Sequence, residues 1–257
     1  MYKQSILIAF NTIVIKEVSR FTRIWVQTIL PPAISMTLYF VIFGSLIGPR
    51  IGTMNGFSYI DYIAPGIIMM SIINNAYANV VSSFFGAKFQ RHIEEMLVAP
   101  IPNFVILAGF ITGGVVRGFL VGAVVTVVAL CFTELNLHSF PITIAVVFMT
   151  SIVFSLAGLI NAIFAKKFDD ISIIPAFVLT PLIYLGGVFY SIDMLPEFWQ
   201  TVSAFNPILY MVNAFRYGLL GESDISITNA FLILTIFAIA LFTISLHLLN
   251  KGIGVKT

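Results

Sequence analysis

The sequence predicts an all-α polytopic membrane protein with six transmembrane helices, an amphipathic helix ahead of the first, and both ends in the cytoplasm. Three observations lead there. The chain is 59% hydrophobic and only 9% charged, whereas soluble domains carry roughly 25% charged residues. So few charges do not cover a water-facing surface, and so much apolar material exceeds one core, so apolar side chains must meet lipid. Apolar runs of about 20 residues, the length that crosses a bilayer, recur along the chain. The basic residues fall on alternate connecting segments, which sets a direction for every crossing.

Residues 1–23 are not a span. Phe10, Ile13, Val14, Val18 and Phe21 recur at spacings of three and four, while Lys16, Arg20 and Arg23 repeat on another face. That is the pattern of a helix lying in the membrane interface. The first span is 24–47, with Pro31-Pro32 near its start either kinking it or marking where the helix begins. This run is too long for a signal-peptide core and no small-residue cleavage site follows, so it reads as a retained helix. The second span is 62–81 and is polar for a membrane helix. The third is 105–132, long and rich in glycine. The fourth is 142–165. The fifth is 171–190, interrupted by Pro175, Pro181 and Gly186-Gly187. The sixth is 230–249.

With the N-terminus inside, the inside segments hold Lys3, Lys16, Arg20, Arg23, Lys88, Arg91, Lys166, Lys167, Lys251 and Lys256, ten of the thirteen basic residues. Arg50 and Arg216 lie outside and Arg117 lies within a span. Miscounting by one span would destroy this alternation, so the bias supports six.

Composition also excludes function classes. One cysteine, Cys131, allows no internal disulfide and no cysteine-based metal site. His92, His138 and His247 are scattered, so no metal site is expected. A net charge of +2 provides no broad basic surface for nucleic acid. There is no G-x-x-x-x-G-K-[ST] phosphate loop and no soluble stretch long enough for a nucleotide-binding domain. The chain is therefore expected to bind no cofactor and to catalyse no reaction itself. If ATP drives it, another polypeptide hydrolyses the ATP.

Five features bear on function. The inside segment 83–102 is longer than topology needs. Phe85, Phe89, His92/Ile93 and Met96 recur at three to four, with Lys88, Arg91, Glu94 and Glu95 between them, until Pro100 stops the pattern. A short amphipathic helix of this kind either lies on the membrane or docks into a groove of a cytoplasmic partner. The short Lys166–Asp170 loop reads as a solvated turn or a second contact with such a partner. In the second span, Ser71, Asn75 and Asn79 stack at i, i+4 and i+8. They serve either interhelical hydrogen bonds, worth roughly 1 kcal/mol each, or a polar strip along a pathway or subunit seam. Arg117 has no acid in the neighbouring turns. A central arginine costs about 2.5–3.5 kcal/mol on insertion scales, so it faces protein or water. A structural role is the simpler reading and a substrate contact the other.

The outer segment 193–220 is too broken by proline to span. Leu195-Pro196-Glu197 and Asn206-Pro207 look like caps followed by proline at the first helical position. They predict two short helices at the outer interface, tolerated at membrane depth only where protein or a cavity covers them.

This outer block resembles the signature of the ABC-2 type exporter permeases. The matching residues are Gly186-Gly187, Leu195-Pro196, Pro207-Ile208-Leu209-Tyr210 and Arg216, with Trp199 inside the block. The amphipathic N-terminal helix, FGAKFQRHIEEMLVAP, KKFDDIS and the short C-terminal tail fit as well, so the resemblance covers most of the chain. It implies a half-transporter: two permease copies, and two copies of a separately encoded ABC ATPase that holds ATP and Mg. It implies that the helix around Phe89–Met96 is the coupling helix in the ATPase cleft. The outer helices around 194–217 would cap the pathway. The expected cargo is a drug, a lipid-linked glycan, a polysaccharide or another amphipathic molecule.

Three other readings compete. An ion-coupled carrier would need intramembrane acids, yet the span centres hold none. A membrane-embedded enzyme would need a Ser–His pair, paired aspartates or a zinc motif, and none is present. A membrane assembly or regulatory protein would need no signature at all.

Overall fold

The computed structural model describes residues 2–254. Of the basic residues counted above, Lys256 and the Lys3 side chain fall outside the described residues. The chain is helical nearly throughout. In order it forms α1 (Tyr2–Arg23), α2 (Trp25–Ile51), α3 (Tyr59–Phe89), α4 (His92–Val98), α5 (Asn103–Ala129), α6 (Phe140–Phe164), α7 (Asp170–Tyr184), α8 (Glu197–Ala204), α9 (Pro207–Leu220) and α10 (Ile227–Lys251). A two-stranded hairpin, β1 (Thr53–Met54) and β2 (Phe57–Ser58), joins α2 to α3. It turns through Asn55 and Gly56, both at positive φ, the residue pair that a two-residue hairpin turn favours.

Among the described residues, five helices, α2, α3, α5, α6 and α10, are long and apolar enough to cross a membrane. The stretch predicted as a fifth span, 171–190, is helical only as far as Tyr184. Pro175 and Pro181 remove backbone donors, the turns at Pro175–Leu179 widen into a π-helix, and Gly187 adopts a left-handed φ of 70°. At about 1.5 Å per residue, α7 alone falls short of the roughly 30 Å apolar thickness.

Other boundaries also move. The second span belongs to a helix that runs on to Phe89, so 83–102 is not one amphipathic helix. Phe85, Lys88 and Phe89 end α3. Gln90 and Arg91 then turn the chain, with Arg91 at φ 61°, and only His92–Val98 forms a separate helix. Helix α2 continues through Pro31 and Pro32 rather than starting there. Asn206 caps α9 by accepting from the Ile208 N–H at 3.0 Å, with Pro207 at the first position. Pro196 is itself the cap residue of α8 rather than its first helical residue, so that helix starts one residue later than predicted.

The core centres on α3, buried along most of its length by α5, α6 and α9. Small residues permit this closeness, the usual solution where lipid offers no hydrophobic drive between helices. A Cβ at Gly158 would lie 2.6 Å from the Tyr77 carbonyl oxygen. Helix α5 is thin on two sides: Gly109 and Gly113 receive Ile13 and Glu17 of α1, and Gly114 and Gly118 receive Ser155 and Ser151 of α6. Helices α2 and α10 flank this core and expose large apolar side chains such as Leu30, Ile34, Leu38, Leu232, Ile236 and Ile239.

Candidate functional site

The sequence-predicted residues fall at three levels along α3. At its first turns lies a buried network around Arg216, whose side chain is 0% exposed. Arg216 Nη2 donates to the Gly187 carbonyl at 2.7 Å, Nε to the Tyr62 carbonyl at 3.4 Å and Nη1 to Asn213 Oδ1 at 3.3 Å. Its guanidinium stacks 4.1 Å from the Tyr62 ring centroid and pairs with Asp224 Oδ2 at 3.7 Å. Asp224 also accepts from the Tyr62 hydroxyl, the Ile192 N–H and Asn55 Nδ2, at 3.2–3.5 Å. One ion pair thus ties α3, the turns after α7, α9 and two loops together. Pro207 opens α9, and the Tyr210 hydroxyl donates to the Ala204 carbonyl at 2.8 Å, locking α9 to α8. The Leu195 carbonyl accepts from Gln200 Nε2 at 2.8 Å beside Pro196, while Trp199 is exposed against Phe198.

Midway along α3 the polar strip meets α1 and α5. Asn75 Oδ1 accepts from Arg117 Nη2 at 3.0 Å. Asn79 accepts from Arg20 Nη2 at its side-chain oxygen, 2.8 Å, and its carbonyl, 3.0 Å. Glu17, fully buried, accepts from Ser83 Oγ at 2.6 Å and faces Arg20 at 3.4 Å. Asn75 and Asn79 therefore make interhelical hydrogen bonds. Ser71, Asn75 and Arg117 also line a cavity of about 330 Å³ between α2, α3 and α5. On the other side of Asn74, a second cavity of about 490 Å³ separates α3 from α7.

At the end of α3, Phe85, Phe89 and Phe168 form one aromatic cluster, with Phe168 5.0 Å from each of the other two rings. Phe89 and Phe168 are exposed. The turn carrying Phe168 is held by Asp170 Oδ2, which accepts from the Lys166 and Lys167 N–H groups at 2.8 and 2.9 Å. Those two donors hold the Asp170 carboxyl below the ordinary carboxylate range. Lys88 Nζ donates to the Ile163 and Ala165 carbonyls at 2.6 and 2.7 Å, capping the C-terminus of α6. In α4, Ile93 is buried and Met96 packs on the core beneath α1. Glu94 and Glu95 stand in its first turn, where carboxylates suit the helix dipole. Arg91 sits in the turn before it.

Sequence reasoning missed Glu17, Tyr62, Asn213 and Asp224. Glu17 carried a signal: it lies at i+4 from Ile13 and i−4 from Phe21, on a face that is otherwise apolar. Among the described residues, no three of His, Cys, Asp and Glu gather to hold a metal ion.

A bundle built around one buried helix, with flanking helices that turn aliphatic side chains outward, is a multi-pass membrane protein. The chain matches the family described as ABC-2 type transporter over residues 8–220. It is 56% identical over 250 residues to the inner membrane transport permease YadH of Escherichia coli (strain K12), covering 97% of this chain and 98% of that one. It is 24% identical over 215 residues to nodulation protein J of Rhizobium leguminosarum bv. viciae, covering 83% of each. The chain belongs to the ABC-2 type transporter family.

Proposed function

We propose that the chain is the transmembrane permease subunit of an ATP-driven exporter in the bacterial inner membrane. It works as a homodimer with two copies of a separate ABC ATPase, which binds ATP and Mg. The observation that carries this reading is the exposed cluster of Phe89 and Phe168. Two segments distant in sequence converge to present aromatic surface beside the charged turn at Arg91–Glu95. That surface suits a cytoplasmic protein groove.

Six crossings with both termini inside fit the same reading. Phe168 meets the last turns of α3, while Val188 meets its first turns at Gly66 and Gly187 is bonded to Arg216 of α9 beside them. The segment between them covers the distance from Gly66 to Phe89, about 34 Å at 1.5 Å per residue. Helix α7 and the turns after it thus make one crossing together, and the alternation of basic segments is kept. The two cavities beside Asn74 give an amphipathic cargo polar and apolar walls along α3.

Tagged chain purified in mild detergent should bring an ATP-hydrolysing subunit with it. The pair Phe89→Ala and Phe168→Ala should abolish that association while leaving the chain in the membrane. An ATPase that stays bound to the double variant, or no ATPase under any mild condition, would sink the coupling role.

A further inference from the structure

We propose that the cavity between α2, α3 and α5 binds the anionic head group of an amphiphile, with Arg117 as its charge partner. This goes beyond the permease reading and rests on it only for the leaflet, the inner one, from which the occupant enters.

Among the described residues Arg117 makes one hydrogen bond, to Asn75 Oδ1. Among the described residues no carboxylate lies within 4.0 Å of it. A guanidinium carries five N–H donors and stays charged. Arg20, bonded to Asn79 one turn along α3 from Asn75, brings a second cation to the same stretch of that helix. Around these two cations lies one carboxylate, Glu17, already engaged by Arg20 and Ser83. The neighbourhood therefore holds one positive charge more than its acids balance.

That charge borders open space. Arg117 lines the cavity of about 330 Å³, and two buried polar atoms of its lining residues, Arg117 Nε and Ser71 Oγ, have no hydrogen-bond partner among the described residues. Ser71 is 1% exposed. Buried polar atoms normally find partners, so both remain available to something that enters. A free cation at membrane depth is costly, and a bound anion removes the cost through charge-assisted hydrogen bonds.

The shape selects an amphiphile over a free ion. On α2, Gln27, Pro31 and Ser35 line the cavity at i, i+4 and i+8, and all three are exposed. The mouth therefore runs about 12 Å along a helix face. Beside it, Leu30, Ile34 and Leu38 give that helix an apolar exterior along which an acyl chain packs. Phosphate and carboxylate heads both satisfy this chemistry, whether on a resident lipid or on a transported molecule.

The test uses the full chain in phosphatidylcholine nanodiscs, titrated with lysophosphatidic acid or with lysophosphatidylcholine of the same acyl chain. Bound copies are counted by native mass spectrometry. Lysophosphatidic acid should bind at least tenfold more tightly. Arg117→Gln should cut that preference to less than twofold, and Arg117→Lys should keep most of it. If Arg117→Gln fails to fold, Gln27→Glu, at the exposed mouth, should weaken lysophosphatidic acid severalfold with the melting temperature unchanged. Equal binding of the two lipids, or a preference that survives Arg117→Gln or Gln27→Glu, would overturn the proposal. Displacement by inorganic phosphate below millimolar concentration would assign the cavity to a free anion and overturn the amphiphile. A further arm adds the partner ATPase and MgATP: release of the bound lipid marks cargo, and retention marks a resident lipid, each an anionic amphiphile. Binding needs no ATPase, so its failure would leave the permease reading standing, and absence of an ATPase would leave the binding result standing.

Discussion

Arg216 and Arg117 are both arginines held inside the bundle, and the chain treats them in opposite ways. Arg216 has no exposed surface, three hydrogen bonds, a stacked tyrosine ring and an aspartate. Arg117 has one amide and a cavity. The first arrangement turns a charge into a joint between five segments. The second leaves a charge facing space. A buried cation is thus informative through its partners, and the first turns and the middle of α3 differ in what their arginines are free to do.

Removing Arg216 should produce the largest effect. Arg216→Met leaves Asp224 buried without its cation, and breaking such a pair costs about 3–5 kcal/mol. Thermal unfolding in detergent should show it, and Arg216→Met with Asp224→Asn should recover part of the loss. A single variant as stable as the parent would dissolve the contrast with Arg117. Next comes Gly66→Ala, whose new methyl would collide with the Val188 carbonyl and press the chain after α7 away from Arg216. Overpacking of this kind costs about 1–3 kcal/mol, read from the same unfolding curves. Glu17→Gln should cost about 1–2 kcal/mol by weakening charged hydrogen bonds from Ser83 and Arg20. Protease sensitivity near Arg23 should rise with it, because α1 loses part of its hold on α3. Arg117→Met should have the smallest effect on stability, at most about 1 kcal/mol and towards greater stability, since one interhelical hydrogen bond is exchanged for a cheaper insertion. A destabilisation as large as that of Arg216→Met would mean that Arg117 is a structural joint too.

Much of the architecture was legible because lipid imposes blunt rules. Apolar run length located α2, α3, α5, α6 and α10, and Asn206-Pro207 announced the start of α9. The Asn55-Gly56 turn was equally legible as a hairpin signal and passed unread. Other features were not accessible from local pattern. The partners of Arg216 are the Tyr62 carbonyl, 154 residues away, and the Gly187 carbonyl, 29 away. No periodicity brings these together. Glu17 could be placed on the apolar face from its spacing to Ile13 and Phe21, but the partner that makes its burial tolerable, Ser83, lies 66 residues on. The break at Gln90–Arg91 was masked because Phe85, Phe89, Ile93 and Met96 keep a helical spacing across it. The backbone turns there while the pattern continues.

The bond between Lys88 and the last carbonyls of α6 has a mechanical meaning. Near Phe89, α3 is pinned to its neighbour by an ammonium group, and further along the two are seated together where the Tyr77 carbonyl meets Gly158. Two fasteners on one pair of rods remove their freedom to bend or slide independently. Under the coupling proposed above, a thrust at the Phe89 tip would move α3 and α6 together as a stiff two-rod crank, and the yielding would fall at the seams beside α2 and α7, where the two cavities lie.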